Sequence, residues 1–236
     1  MLNAEDWVVA PSKPMEKLAE NLWRVEGTIS GSPLKRVMTV ARRSDGKLVI
    51  HNAIALEEPR MKELEALGEI AYVVVPNGFH RIDAARFARR YPDAKVHCPA
   101  GSRKRVAAAV TVHGTLEEIP ADPDVRFEAV RGVGDAEGVM VVRSADGVTL
   151  VVNDLVFNMP HQGGVGGFVL RHVTASSGGP TISRVARLFL VKDAAAVKGE
   201  LERLAAIPDL RRVIVSHHET LDVEPSAALR AVAATL

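Results

Sequence analysis

Cysteine is nearly missing from this sequence. Only Cys98 stands among 236 residues, so no internal disulfide can form and no zinc site of the multi-cysteine type can be built. Aromatics are scarce at 4%, and the interior must therefore come from Val, Leu, Ile and Ala. Net charge is small as well: 30 basic against 29 acidic residues leave +1, which supplies no global field for nucleic acid. No apolar run approaches the ~20 residues needed to span a bilayer. The start, MLNAEDWVVAPSKPMEKLAENLW, brings in acids early and holds no apolar core of leader length. From these absences we expect a cytoplasmic protein with no nucleic-acid and no membrane partner. What is present is 47% hydrophobic residues, which suits a packed core, and a length for one large domain or two small ones.

The patterning divides into two similar halves. Residues 22–29, 34–43 and 47–54 read as strands, the last two joined at Asp45-Gly46, a pair that favours the positive φ of a hairpin turn. Residues 57–67 carry Met61, Leu64 and Leu67 at helical spacing, with Gly68 as a stop. The continuous apolar run 70–75 reads as a buried strand. Residues 83–91 read as a helix ended by Pro92, 95–98 as a strand, and 102–110 as a helix. The second half repeats the order. A hairpin turns at Asp146-Gly147 between 139–143 and 148–152, a Gly-rich segment covers 158–179, and helices cover 181–190 and 194–207. A strand at 211–215 and a helix at 225–236 close the chain. Strands then helices, twice over, predict an α/β protein: a four-layer αββα sandwich of two mixed β-sheets flanked by helices, with parallel pairing where strands alternate with helices. We expect a single domain over 1–236, with 1–21 as an N-terminal extension.

Four loci follow or border predicted strands, where such layers place ligand sites. They are 75–83 (VPNGFHRID), 131–138 (RGVGDAEG), 152–155 (VNDL) and 215–219 (VSHHE). The second resembles a dinucleotide loop, but a strand follows it where that loop needs a helix. Gly163-Gly164-Val165-Gly166-Gly167 lacks the Lys-Ser/Thr ending of a phosphate loop and reads as a mobile flap at a pocket mouth, or a packing loop. Arg103-Lys104-Arg105 has no interleaved aromatics and reads as a solvated face or an attractor for an acidic ligand. Cys98 reads as an inert buried thiol. One of His217 and His218 is expected to face solvent.

The order and spacing of these loci resemble the metallo-β-lactamase fold from about residue 22 to the C-terminus. The parts that carry the resemblance are the strand–loop–helix followed by YPDAKVHCPAG, the hairpin ending in VVNDLVFN, the segment SRVARLFLVKD and the late strand RRVIVSHHE. It is most similar to a branch of that superfamily without the usual His-x-His-x-Asp-His metal motif. Pro76, Gly78, His80 and Arg81 stand at those four positions, Asp135 at the next histidine, Asp154 at the bridging aspartate, and His217 (or His218) at the late histidine. The resemblance implies three alternatives. In the first, the site is degenerate and metal-free, Arg81 pairs with Asp154 or Asp135, and a small anionic ligand binds at the strand-end loops. In the second, His80, Asp154 and His217 hold one zinc, iron or manganese ion in an atypical hydrolase of esters, thioesters or phosphodiesters, with Asp135 offering a further oxygen. In the third, the Gly-rich segment and the Arg-rich helix form a protein–protein interaction module. The sequence assigns no oligomeric state.

Overall fold

The computed structural model describes residues 7–236; the first six residues of the expected extension lie outside them. Four strands come first: β1 (Glu16–Ala19), β2 (Leu22–Thr28), β3 (Lys35–Arg42) and β4 (Leu48–His51). Then follow α1 (Glu58–Glu65), β5 (Ile70–Val74), α2 (Ala84–Arg90), β6 (Lys95–Cys98), α3 (Arg103–Ala107) and β7 (Gly114–Thr115). The second half begins with β8 (Val125–Ala129), β9 (Gly138–Ser144), β10 (Gly147–Val151), β11 (Phe157–Met159) and α4 (Gly164–Phe168). It ends with β12 (Gly179–Thr181), α5 (Arg184–Phe189), α6 (Ala194–Ala205), β13 (Leu210–Ile214) and α7 (Pro225–Ala233).

β11 and β12 pair in a short two-stranded sheet, and the two main sheets are β1 to β7 in chain order and β13-β10-β9-β8. Both are mixed. The β3–β4 and β9–β10 hairpins are antiparallel, while β4–β5–β6–β7 and β10–β13 are parallel. Gly46 and Gly147 turn the two hairpins at φ +82° and +126°, a region closed to most side chains. Residues 16–19, counted with the extension in the sequence, pair with β2 as the edge strand of the larger sheet.

The layering follows from side chains alternating across each strand. Met38, Val40, Leu48 and Ile50 point outward and pack with Met61, Leu64, Phe87 and Val106 of α1 to α3. Val37, Ala41 and Val49 point inward and meet Met140, Val142, Val151 and Ile214 of the second sheet. On the far side Val139, Val141, Leu150 and Val213 pack under Ala186, Leu201 and Leu229 of α5 to α7. Both faces of the central strands are covered, so their sequences read as unbroken apolar runs. The result is the expected four-layer αββα sandwich.

The Gly-rich segment departs from a loop. α4 forms at residues 164–168 and a π-helical turn continues it to Val173. Gly167 packs on the chain entering the helix, where a Cβ would overlap the Gln162 carbonyl. The close approach that needs glycine is therefore a helical one. The helix expected from residue 181 starts at Arg184 instead, with Ser183 as its N-cap. Thr181 is withdrawn from it because it pairs with Phe157 across β11 and β12. The helix expected over 102–110 is likewise short, its first turn being a tight one ahead of α3. Among the described residues no helix is long and apolar enough to cross a membrane.

Candidate functional site

One end of the two sheets gathers the polar residues. β4, β5, β10 and β13 all end there, and β3 and β9, antiparallel to their neighbours, begin there. These strand ends deliver the polar groups: Asn52 after β4, Asn77 and His80 after β5, Asp154 after β10, His217 after β13, and Glu137 just before β9. The loop that carries His80 is anchored at its base by Asp83. This buried carboxylate pairs with Arg36 and Arg86 and accepts the Ala55 N–H at 3.1 Å. Above it, Asn77 Oδ1 accepts the N–H groups of Phe79 (2.8 Å) and His80 (3.2 Å), which closes the turn.

His80, Asp154 and His217 converge, each offering a ligand atom within 4.8 Å of the others'. Both Nε2 atoms face Asp154 Oδ1, from His80 at 3.0 Å and from His217 at 3.1 Å. The opposite nitrogens are also committed. His217 Nδ1 donates to the Lys35 carbonyl at 2.7 Å. His80 Nδ1 meets Asn52 Oδ1 at 3.1 Å, and Asn52 spends its Nδ2 on the Val37 carbonyl, so its oxygen is the acceptor for the ring. With each outer N–H donated to a carbonyl oxygen, both rings turn Nε2 inward. Each close Nε2–carboxylate approach then requires a positive centre between them, either a proton or a metal ion. Asp154 Oδ2 is held by Asn77 Nδ2 at 2.7 Å.

Glu137 lies beneath this set. It accepts Asn77 Nδ2 (2.8 Å), Asn153 Nδ2 (3.0 Å), the Asp154 N–H (3.1 Å) and the Leu155 N–H (3.1 Å). It thereby fixes the turn that presents Asp154. Burial and the charge of Asp154 push the Glu137 carboxyl above its usual range, against four donors that favour the anion. Burial would also raise Asp154, but the His80 charge and the hydrogen bonds from His217 and His80 outweigh it and hold Asp154 well below that range. For His217, burial opposes the charge and Asp154 favours it; the net shift is upward. Phe157 stacks flat on the His217 ring, with centroids 5.2 Å apart.

The remaining sequence-predicted residues fall elsewhere. Arg81 is adjacent to His80 but donates to the Arg105 carbonyl at 2.7 Å. The Arg–Asp pair expected for a metal-free pocket is not formed, because His80, His217 and Asn77 already take Asp154. Asp135 is exposed in a left-handed turn (φ 53°), and its carbonyl accepts the Gly101 N–H. Glu137, two residues on, is the carboxylate of that loop that turns inward. His218 is buried rather than solvent-facing; its Nε2 accepts the Lys35 N–H at 3.2 Å, so the two histidines grip both sides of one peptide residue. Burial and the His217 charge lower it to about 4, in keeping with an acceptor. His51 is buried, and burial together with the His80 charge lowers the His51 pKa to about 3. Cys98 is a buried thiol raised to about 11 by burial. Asn52, Asn77, Glu137 and Asn153 were not named as site residues by the sequence reading, although Asn77, Glu137 and Asn153 lie within three of its four loci.

Solved metallo-β-lactamases superpose along nearly the whole chain. The DIM-1 enzyme exposed to ceftazidime matches with a TM-score of 0.64 at 13% identity, over 97% of this chain and 99% of that one. The enzyme from Erythrobacter litoralis, with β-mercaptoethanol in its active site, matches with a TM-score of 0.64 at 11% identity, over 94% and 96%. TMB-1 matches with a TM-score of 0.61 at 12% identity, over 95% and 98%. The chain has the metallo-β-lactamase fold, and at these identities the likeness is one of fold. No family model and no curated protein matches the sequence.

Proposed function

We propose that the protein is a mononuclear metal-dependent hydrolase whose ion is held by His80, Asp154 and His217. The observation that carries this reading is the inward convergence of both Nε2 atoms on Asp154 Oδ1, with each Nδ1 tied to a carbonyl oxygen. Two imidazoles and one carboxylate are a donor set for zinc, iron or manganese that leaves positions open. When bound, such an ion supplies Lewis acidity toward a carbonyl or phosphoryl oxygen. The protein's own groups do the rest. Lys35 and Asn52 fix the ring tautomers, Asn77 holds the outer oxygen of Asp154, and Glu137 sets the turn that carries it. Esters, thioesters and phosphodiesters are the substrate classes this chemistry fits. The metal-free, anion-binding alternative loses its main support with Arg81 turned to the Arg105 carbonyl.

Elemental analysis of protein purified without chelator tests the reading. About one equivalent of a divalent metal is expected, lost in Asp154→Ala while the variant keeps its fold. A panel of model esters, thioesters and phosphodiesters then reports hydrolysis that stops on chelation and returns with metal. Wild-type protein that holds no metal after dialysis against zinc, iron and manganese would overturn the proposal.

A further inference from the structure

From Leu155 to Lys192 the chain carries no Asp or Glu, yet it holds Arg171, Arg184, Arg187 and Lys192. None of these four cations pairs with a carboxylate among the described residues. Arg184 donates to the His172 and Val173 carbonyls, Arg187 to Thr235, and Lys192 to the Phe189 carbonyl. The same stretch exposes large apolar side chains: Val165 (83%), Phe168 (61%), Val173, Leu188 (71%) and Phe189 (65%). They lie on α4, the π-helical turn after it and α5, with β12 between these helical segments. The Arg184 N–H bonds the Thr174 carbonyl, which ties the first turn of α5 to the end of the π-helical turn. α4 borders the site, since it rests at Gly166 against Pro33, two residues before the Lys35 carbonyl that orients His217.

We infer that this segment, α4 to α5, docks on the surface of a bilayer containing anionic lipid. A surface that is both apolar and cationic, with no acid of its own, needs a partner that is both apolar and anionic. A lipid interface offers acyl chains to Val165, Phe168, Leu188 and Phe189, and phosphate charges to the arginines around them. A second copy of the chain fits less well. A two-fold contact would set the patch against itself and crowd unneutralised cations together. The sequence's lack of a spanning run led to the expectation of no membrane partner, but that lack concerns crossing and not lying on the surface. This inference stands apart from the metal proposal.

Co-sedimentation with phosphatidylcholine vesicles, with and without phosphatidylglycerol, tests it. Binding is expected only to the anionic vesicles and is expected to weaken as salt rises. Arg171→Gln, at an exposed position, weakens it about five-fold, the effect of one cation near an anionic surface. Leu188→Ser with Phe189→Ser weakens it by about ten-fold or more through lost apolar burial, with thermal midpoint and circular dichroism unchanged as proof of an intact fold. Equal binding to both vesicle types, or to neither, overturns the inference. So does a concentration-dependent dimer in light scattering that the double serine variant dissolves, because the patch would then be covered by a second copy.

Discussion

His51 allows the electrostatics of the site end to be tested quantitatively. Its ring is almost wholly buried at the end of β4, Nδ1 has no partner, and burial with the His80 charge lowers its pKa from 6.5 to about 3. The folded protein thus keeps this ring neutral under conditions in which the unfolded chain protonates it. The sign follows: a histidine with a depressed folded pKa contributes its stability in full above 6.5 and loses it as pH falls toward about 3. At about pH 5 the loss from this one group is about 2 kcal/mol, since each unit between the two pKa values is worth ~1.4 kcal/mol. His51→Leu removes the ring without removing a hydrogen bond at Nδ1. Urea unfolding with chelator present, for wild type and variant at about pH 8 and about pH 5, should show the wild type losing about 2 kcal/mol more than the variant. His217 and His218 titrate in both proteins and largely cancel in the difference. Equal losses in the two proteins would refute the assignment of a buried, neutral His51.

Three further outcomes follow from the geometry. Asn77→Ala removes the amide that bridges Asp154 and Glu137, and metal affinity by calorimetric titration should fall about 10–100-fold, as for outer partners of metal ligands; unchanged affinity would mean that Asn77 does not orient Asp154. Gly167→Ala places a Cβ on the Gln162 carbonyl and should destabilise the protein by about 1–3 kcal/mol in thermal or urea unfolding, an effect absent if the segment is an unstructured flap. Arg81→Ala should leave metal content and stability as in the wild type, because its guanidinium serves the Arg105 carbonyl; loss of metal or ligand response would return Arg81 to the site.

Much of the layering could be read from residue order. The Asp45-Gly46 and Asp146-Gly147 turns, the strand at 95–98 and the helices near 58 and 194 all rest on local chemistry, and each is found. Local pattern failed where pairing was distant. Thr181 left its helix for Phe157, and glycines 163–167 entered a helix because the chain folds back on Gln162. The site divides in the same way. His80, Asp154 and His217 stand at strand ends and were visible as such, whereas Glu137 and Asn77 gain their roles from partners 16 to 77 residues away.

The sequence by itself determined the alternation that builds two sheets, the shortage of cysteine that leaves histidine and carboxylate as the candidate ligands, and the strand ends where those residues stand. The tertiary structure decided which neighbour faces in. His80 rather than Arg81, and Glu137 rather than Asp135, turn toward Asp154. Residues one or two apart in a turn point in different directions, and only the contacts of the folded chain — the Asn52 and Lys35 carbonyl groups on the rings, the amides around Glu137 — fix those directions.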